Sequence, residues 1–177
     1  MPSYESREDR LSGRKTLTSP ALYGCTGTEL SADERRFFAD VNPLGFILFA
    51  RNCSSGSQIS DLTASLRDAV GRSEAMILID QEGGRVARLK APEFRAAPPA
   101  QVFGRLAAKD LSLAQEAARL NAGLIASELF SLGINVDCLP VLDVPAPGGH
   151  DIIGDRAFAS DPEVVAALGR STAKGLM

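Results

Sequence analysis

Two carboxylates and two arginines crowd one stretch of the chain, Asp80-Gln81-Glu82-Gly83-Gly84-Arg85-Val86-Ala87-Arg88, directly after the apolar run Ala75–Ile79. If that run is a strand, Asp80 stands where the strand ends. In α/β folds the carboxyl ends of parallel strands face the crevice that takes ligands. A carboxylate and a guanidinium placed there orient a polar ligand through charge-assisted hydrogen bonds. The plainer alternative is a strand-ending turn whose Asp80 accepts backbone hydrogen bonds. Asp80 and Glu82 resemble a glycosidase carboxylate pair only if the strand continues through Glu82, which would set them about 7 Å apart on one face. Gly83 and Gly84 favour a sharp turn instead.

A second charged segment, Ile152-Ile153-Gly154-Asp155-Arg156-Ala157-Phe158, follows another apolar run. Arg156 could fork onto sugar oxygens or a carboxylate, or be held structurally by its neighbour Asp155. Asp143, in Pro140-Val141-Leu142-Asp143-Val144, reads as a loop-bracing acid. His150 is the single histidine, which excludes a multi-histidine metal site, and in its Gly-rich loop it reads as a surface residue. Cys25, Cys53 and Cys138 are widely spaced, with no Cys-x-x-Cys pair, so they read as buried free thiols rather than as a disulfide framework or zinc cluster.

Composition narrows the classes further. The 177 residues carry 19 Lys+Arg against 22 Asp+Glu, a net charge of -3, with 45% hydrophobic residues, which describes an ordinary globular domain. The acidic balance argues against a nucleic-acid surface, which needs clustered Lys and Arg. Pro43–Ala50, the longest nearly uncharged apolar run, is far shorter than the roughly 20 residues of a membrane-spanning helix. Residues 1–15 are polar, without the apolar centre of a secretory signal, so a cytoplasmic location is expected.

The elements that must position these groups alternate. After a tail expected over residues 1–17, strands are expected at Ala21–Cys25, Gly45–Ala50, Ala75–Ile79 and Asn135–Leu139. Between them, Ser31 and Glu34 form a capping box for a helix over Ala32–Asp40, and Ile59, Leu62, Leu66 and Val70 make one apolar stripe that Gly71 ends. A long loop with Pro92, Pro98 and Pro99 precedes a helix over Ser112–Leu132, whose apolar stripe reads Leu113, Ala117, Leu120, Leu124 and Leu132. Asp161, Pro162 and Glu163 start a last helix. Four such units fit either a small open doubly wound sheet or the first half of a (β/α)8 barrel, whose whole length is about 250 residues. Neither the dinucleotide glycine fingerprint nor a phosphate-binding loop occurs, so nucleotide-binding open sheets lose support.

Four segments decide between them: Leu44-Gly45-Phe46-Ile47-Leu48-Phe49-Ala50-Arg51-Asn52, Ile79-Asp80-Gln81-Glu82-Gly83-Gly84-Arg85-Val86, Leu139-Pro140-Val141-Leu142-Asp143-Val144 and Ile153-Gly154-Asp155-Arg156-Ala157-Phe158. In this order they resemble the N-terminal half of the bacterial β-N-acetylhexosaminidases of glycoside hydrolase family 3. The resemblance runs from about Pro20 to the end, and it implies a TIM-type (β/α)8 barrel of which residues 18–177 form the first four βα units. It implies removal of terminal β-linked N-acetylglucosamine from peptidoglycan fragments during cell-wall recycling, by a retaining mechanism without cofactor or metal. Its sugar-binding residues fall on Asp80, Arg88 and Arg156, and Asp155 replaces the usual glutamate before that arginine. Relatives continue with a Lys-His-Phe-Pro-Gly-His-Gly segment, an acid/base pair and an aspartate nucleophile, so the catalytic groups are expected beyond Met177 and this stretch alone is expected to be inactive and to self-associate. A β-glucosidase of the same family, or a non-catalytic sugar-binding or assembly half-barrel, are the rival expectations.

Overall fold

A computed structural model describes residues 17–146, 148 and 151–177. Its four strands, β1 (Ser19–Tyr23), β2 (Pro43–Leu48), β3 (Met76–Ile79) and β4 (Val136–Asp137), form one sheet in the order β1-β2-β3-β4. Every pairing is parallel, with Gly45 opposite Met76, Leu48 opposite Ile79, and Ile79 opposite Asp137. A doubly wound sheet reverses its strand order at a switch point. This sheet advances by one strand per unit without reversal, which is the winding of a (β/α) barrel and realises the expected first four βα units.

Helices return the chain between strands. α1 (Ala32–Val41) opens with the expected capping box: Ser31 Oγ accepts from the Glu34 amide at 3.2 Å, and the Glu34 carboxylate accepts from the Ser31 amide at 3.0 Å. The same carboxylate accepts from the Thr26 amide at 2.8 Å, so it ties the β1 exit to the helix start. α2 (Gly56–Val70) buries Ile59, Leu62 and Leu66 and ends on left-handed Gly71, as expected. These side chains meet Phe46, Leu48, Ile77 and Ile79 of the sheet and Phe38 of α1 in the main core.

Strand ends depart from expectation by up to a few residues. The Cys25 carbonyl accepts from Arg51 and Asn52 side chains rather than from a neighbouring strand, so β1 stops at Tyr23. After Leu48 the Asn52 side chain accepts from the Phe49 amide and Ala50–Asn52 curls into a 3₁₀ turn, which ends β2 early. β4 keeps only Val136 and Asp137 of the expected five-residue strand.

The long loop after β3 holds an unforeseen helix, α3 (Ala100–Ala107), followed by α4 (Leu111–Ser131) and, after β4, α5 (Pro162–Leu176). α3 has no side-chain cap: Pro99 precedes it, and burial of Phe103 against Phe158, Val165 and Leu168 holds it in place. In α4 the buried residues are Ala114, Ala118, Ala122, Ile125 and Leu129, whereas Leu113, Leu120 and Leu124 of the expected stripe stay 55%, 52% and 57% exposed. Small residues govern this face, because α5 crosses so closely that a Cβ on Gly175 would lie 2.2 Å from the Arg119 carbonyl oxygen. Asp161 caps α5 through the Glu163 amide at 2.9 Å, with Pro162 in its first turn.

Candidate functional site

The carboxyl ends of β3 and β4 carry the charged groups. Asp80 leaves β3 and is gripped by Arg88, whose Nη2 donates to Asp80 Oδ2 at 2.6 Å; the two side chains are 24% and 27% exposed. The turn that brings residue 88 back is built on glycine. Gly83 and Gly84 have φ of 95° and 57°, and a Cβ on Gly83 would stand 2.4 Å from the Pro98 carbonyl oxygen. Gln81, 1% exposed, braces the turn from inside: its Oε1 accepts from the Arg88 and Leu89 amides at 2.9 and 3.0 Å, and its Nε2 donates to the Leu89 carbonyl. The Arg88 guanidinium also lies 5.9 Å from the centre of the Phe49 ring at the β2 exit, and Arg51 lies 4.8 Å from it.

Arg156 arrives from the β4–α5 loop and forks onto Glu82, Nε at 2.8 Å and Nη2 at 2.7 Å. Asp155 is not its partner. Asp155 accepts from Arg85 at 2.8 Å, and Arg85 also donates to the carbonyls of Ile152 and Ile153. The expected Asp155–Arg156 pair is thus replaced by two cross-loop pairs, because adjacent residues of the Gly154–Arg156 turn point toward different residues of the β3 turn. Glu82, occupied by a bidentate arginine, is unavailable as one of two hydrolytic carboxylates. Asp80, Arg88 and Arg156 all stand on the carboxyl-end rim, and the Asp80 carboxylate acts electrostatically on Arg156.

Two neighbours went unnoticed in the sequence. Asp137, the last residue of β4, accepts from the Gln81 amide at 3.0 Å through Oδ1, while its Oδ2 is buried without a hydrogen-bond partner. Burial above all, then the negative charges of Asp80 and Glu82, push its carboxyl up to about 7 against the Gln81 and Cys138 amide bonds. Cys138 is exposed, not buried as expected, and lies beside Asp80; partial burial first, then the Asp80 carboxylate, pushes the thiol up to about 11. Cys53 is half-buried and Cys25 fully buried. The available signal for Asp137 was its register: an acid at the end of a strand expected to lie beside β3 must stand near Asp80.

Asp143 is exposed at the same rim and acts electrostatically on Arg156, and His150 lies outside the described residues. A cavity of about 760 Å³ between α3 and the β4–α5 loop is lined by Gln101, Arg105, Asp143 and Asp151 but by none of Asp80, Arg88 or Arg156. Among the described residues no three His, Cys, Asp or Glu side chains are grouped to hold a metal ion, and no helix is long and apolar enough to cross a membrane. The arrangement offers paired charges around a polar rim, suited to orienting an uncharged, hydroxyl-rich ligand.

Residues 16–177 match the family described as the glycosyl hydrolase family 3 N terminal domain. The β-hexosaminidase of Xanthomonas campestris is 42% identical over 155 residues, 88% of this chain and 46% of its own length. NagZ from Neisseria gonorrhoeae, solved in complex with N-trifluoroacetyl-D-glucosamine, superposes with a TM-score of 0.84 at 35% identity, covering 90% of this chain and 46% of that one. A family 3 β-N-acetylglucosaminidase from Paenibacillus superposes with a TM-score of 0.76 at 35% identity, covering 88% and 29%. The chain spans about half the length of the curated relatives it matches.

Proposed function

We propose that this chain, which belongs to glycosyl hydrolase family 3 through its N-terminal domain, forms the sugar-binding part of a β-N-acetylhexosaminidase that removes terminal β-linked N-acetylglucosamine from peptidoglycan fragments. The observation that carries this reading is the convergence of the Asp80–Arg88 pair and the Glu82–Arg156 pair on one rim at the carboxyl ends of β3 and β4. Relatives named for the same activity, and a structural neighbour holding a glucosamine derivative, support it.

In this reading Asp80 accepts from sugar hydroxyls, and Arg88 and Arg156 donate to sugar oxygens. Their own ion pairs hold them in place before the sugar arrives, so less ordering is needed on binding. The rim is a binding surface; retaining hydrolysis also needs a nucleophile and an acid/base group about 5 to 5.5 Å apart in the carboxylate case. Glu82 is engaged and Asp80 is salt-bridged, so we place both catalytic groups on segments beyond Met177, as the family resemblance implies. The three unbridged cysteines accord with action in the cytoplasm.

The test is made in the natural full-length protein with a chromogenic aryl β-N-acetylglucosaminide. Asp80→Ala removes one or two charge-assisted hydrogen bonds and raises KM by an amount worth roughly 2 to 5 kcal/mol. Unchanged kinetics would return Asp80 to the role of a turn brace, and faster turnover of the matching glucoside would favour the β-glucosidase reading.

A further inference from the structure

Of the carboxyl groups of Asp80, Glu82 and Asp137, which stand where β3 and β4 end, two have a cation and the third has none among the described residues. Asp80 is paired with Arg88 and Glu82 with Arg156, while Asp137 accepts the Gln81 amide through one oxygen and has no hydrogen-bond partner for the other. Resting on the sugar-site reading above, we propose that Asp137 is a positioning residue of that site, which fixes Gln81 and, through it, the spacing of Asp80 and Arg88.

The linkage is short and direct. Asp137 Oδ1 accepts from the Gln81 amide at 3.0 Å, and the buried Gln81 side chain accepts from the Arg88 amide at 2.9 Å. The two sugar-binding groups therefore flank a turn whose inner brace is anchored on the next strand. The charge count disfavours a further anion here: Arg88 is taken by Asp80 and Arg156 by Glu82, the exposed Asp143 already adds negative charge near Arg156, and a charge on Asp137 would be surplus. The groups facing Asp137 are Asp80 and Glu82 from the β3 exit, with Arg88 and Arg156 engaged on them and the Cys138 thiol beside Asp80. Burial and those two carboxylates raise its pKa to about 7, so a rise in pH through neutrality introduces the surplus charge. An ionised Asp137 then repels the Asp80 and Glu82 carboxylates and loosens the turn that carries them.

The experiment measures N-acetylglucosamine affinity by titration calorimetry, and KM and kcat on an aryl β-N-acetylglucosaminide from pH 5 to 9, in the natural full-length protein. For the wild type, affinity weakens and KM rises several-fold across neutrality beyond any effect on kcat. Asp137→Asn, which keeps the Gln81 acceptor without the charge, holds the low-pH KM across the range. Asp137→Ala, which removes the acceptor, raises KM about tenfold at every pH. An Asp137→Asn protein that keeps the wild-type pH profile, or an Asp137→Ala protein with wild-type KM, overturns the inference while wild-type binding leaves the sugar site standing. A wild type that binds no N-acetylglucosamine at any pH overturns the sugar reading and this inference together.

Discussion

Arg156, in the loop after β4, grips Glu82, in the turn after β3, through two parallel hydrogen bonds of 2.8 and 2.7 Å, although 74 positions separate them in the chain. One strand-end turn is thereby fastened to the next, and Arg85 to Asp155 fastens it a second time. Glu82 is only 8% exposed, so this is the better shielded of the two ties. Removing Glu82 leaves a guanidinium without its anion in a partly buried place, which is costly. Glu82→Ala should destabilise the protein by roughly 2 to 4 kcal/mol in urea unfolding, and the double-mutant cycle with Arg156→Ala should give a coupling of about 1 to 3 kcal/mol. Strictly additive single substitutions would mean that the fork contributes nothing.

The β3 turn should tolerate no side chain at residue 83. Its φ of 95° disfavours any L-residue, and a Cβ would meet the Pro98 carbonyl oxygen at 2.4 Å. Gly71 has a similar positive φ of 61° but opens onto empty space. Gly83→Ala should therefore cost about 2 to 4 kcal/mol and weaken sugar binding, against about 1 kcal/mol and unchanged binding for Gly71→Ala. Equal losses in thermal unfolding would show that only φ matters.

Acid should act through Glu34. Burial would raise its carboxyl, but hydrogen bonds from Thr26 and Ser31 outweigh it and lower it from its ordinary 4.5 to about 2. A folded-state pKa below the unfolded one gives stability that is present above 4.5 and lost as pH falls toward 2. Glu34→Gln should cost about 1 kcal/mol at pH 7 and show a shallower loss between pH 5 and 2. An unaltered acid limb in the variant would contradict this account.

What the sequence made legible follows local physics. The capping box at Ser31 and Glu34, the Ile59, Leu62 and Leu66 stripe, and the glycine turn after Ile79 are each written within one element, and each stands where expected. Misreadings arose where a distant partner decides. The buried face of α4 is the Ala114, Ala118 and Ala122 side because α5 approaches its small residues, so counting leucines chose the wrong face. α3 lacks a polar cap and depends on Phe158 from a later loop. Asp80 and Arg88 share one short turn and could be paired by eye, whereas the Glu82–Arg156 and Arg85–Asp155 pairs join two turns and could not.

Thiol chemistry should report on the rim. Cys138 is exposed and lies beside Asp80, but a pKa pushed to about 11 keeps its thiolate scarce at neutral pH. Iodoacetamide should alkylate Cys138 slowly at pH 7 and faster as pH rises, with Cys25 protected by burial, and N-acetylglucosamine should slow the reaction further. Mass mapping that finds rapid modification at pH 7, or no protection by the sugar, would contradict the influence of Asp80 on the thiol or the sugar site respectively.

Residues 1–177 expressed by themselves should associate and should not turn over glycosides. β1 and β4 are the edges of the sheet, and β4 is paired on its β3 side alone among the described residues. Beside that open edge lies an apolar groove of about 630 Å³ lined by Leu129, Phe130, Ile134, Val136 and Leu176, with Phe130 79% exposed. An unpaired strand next to exposed apolar surface is a template for strand-edge association. Light scattering should give a mass above that of one chain, and Val136→Lys with Phe130→Lys should lower it by placing charge on the edge. The natural full-length protein should be monodisperse and should release the chromogenic aglycone that the 177-residue stretch leaves intact. A monodisperse monomer of residues 1–177 with comparable turnover would overturn this prediction, and with it the exclusion of Glu82 by its arginine fork, and return the catalytic roles to residues on the rim itself, with Glu82 and Asp143 the first to be replaced.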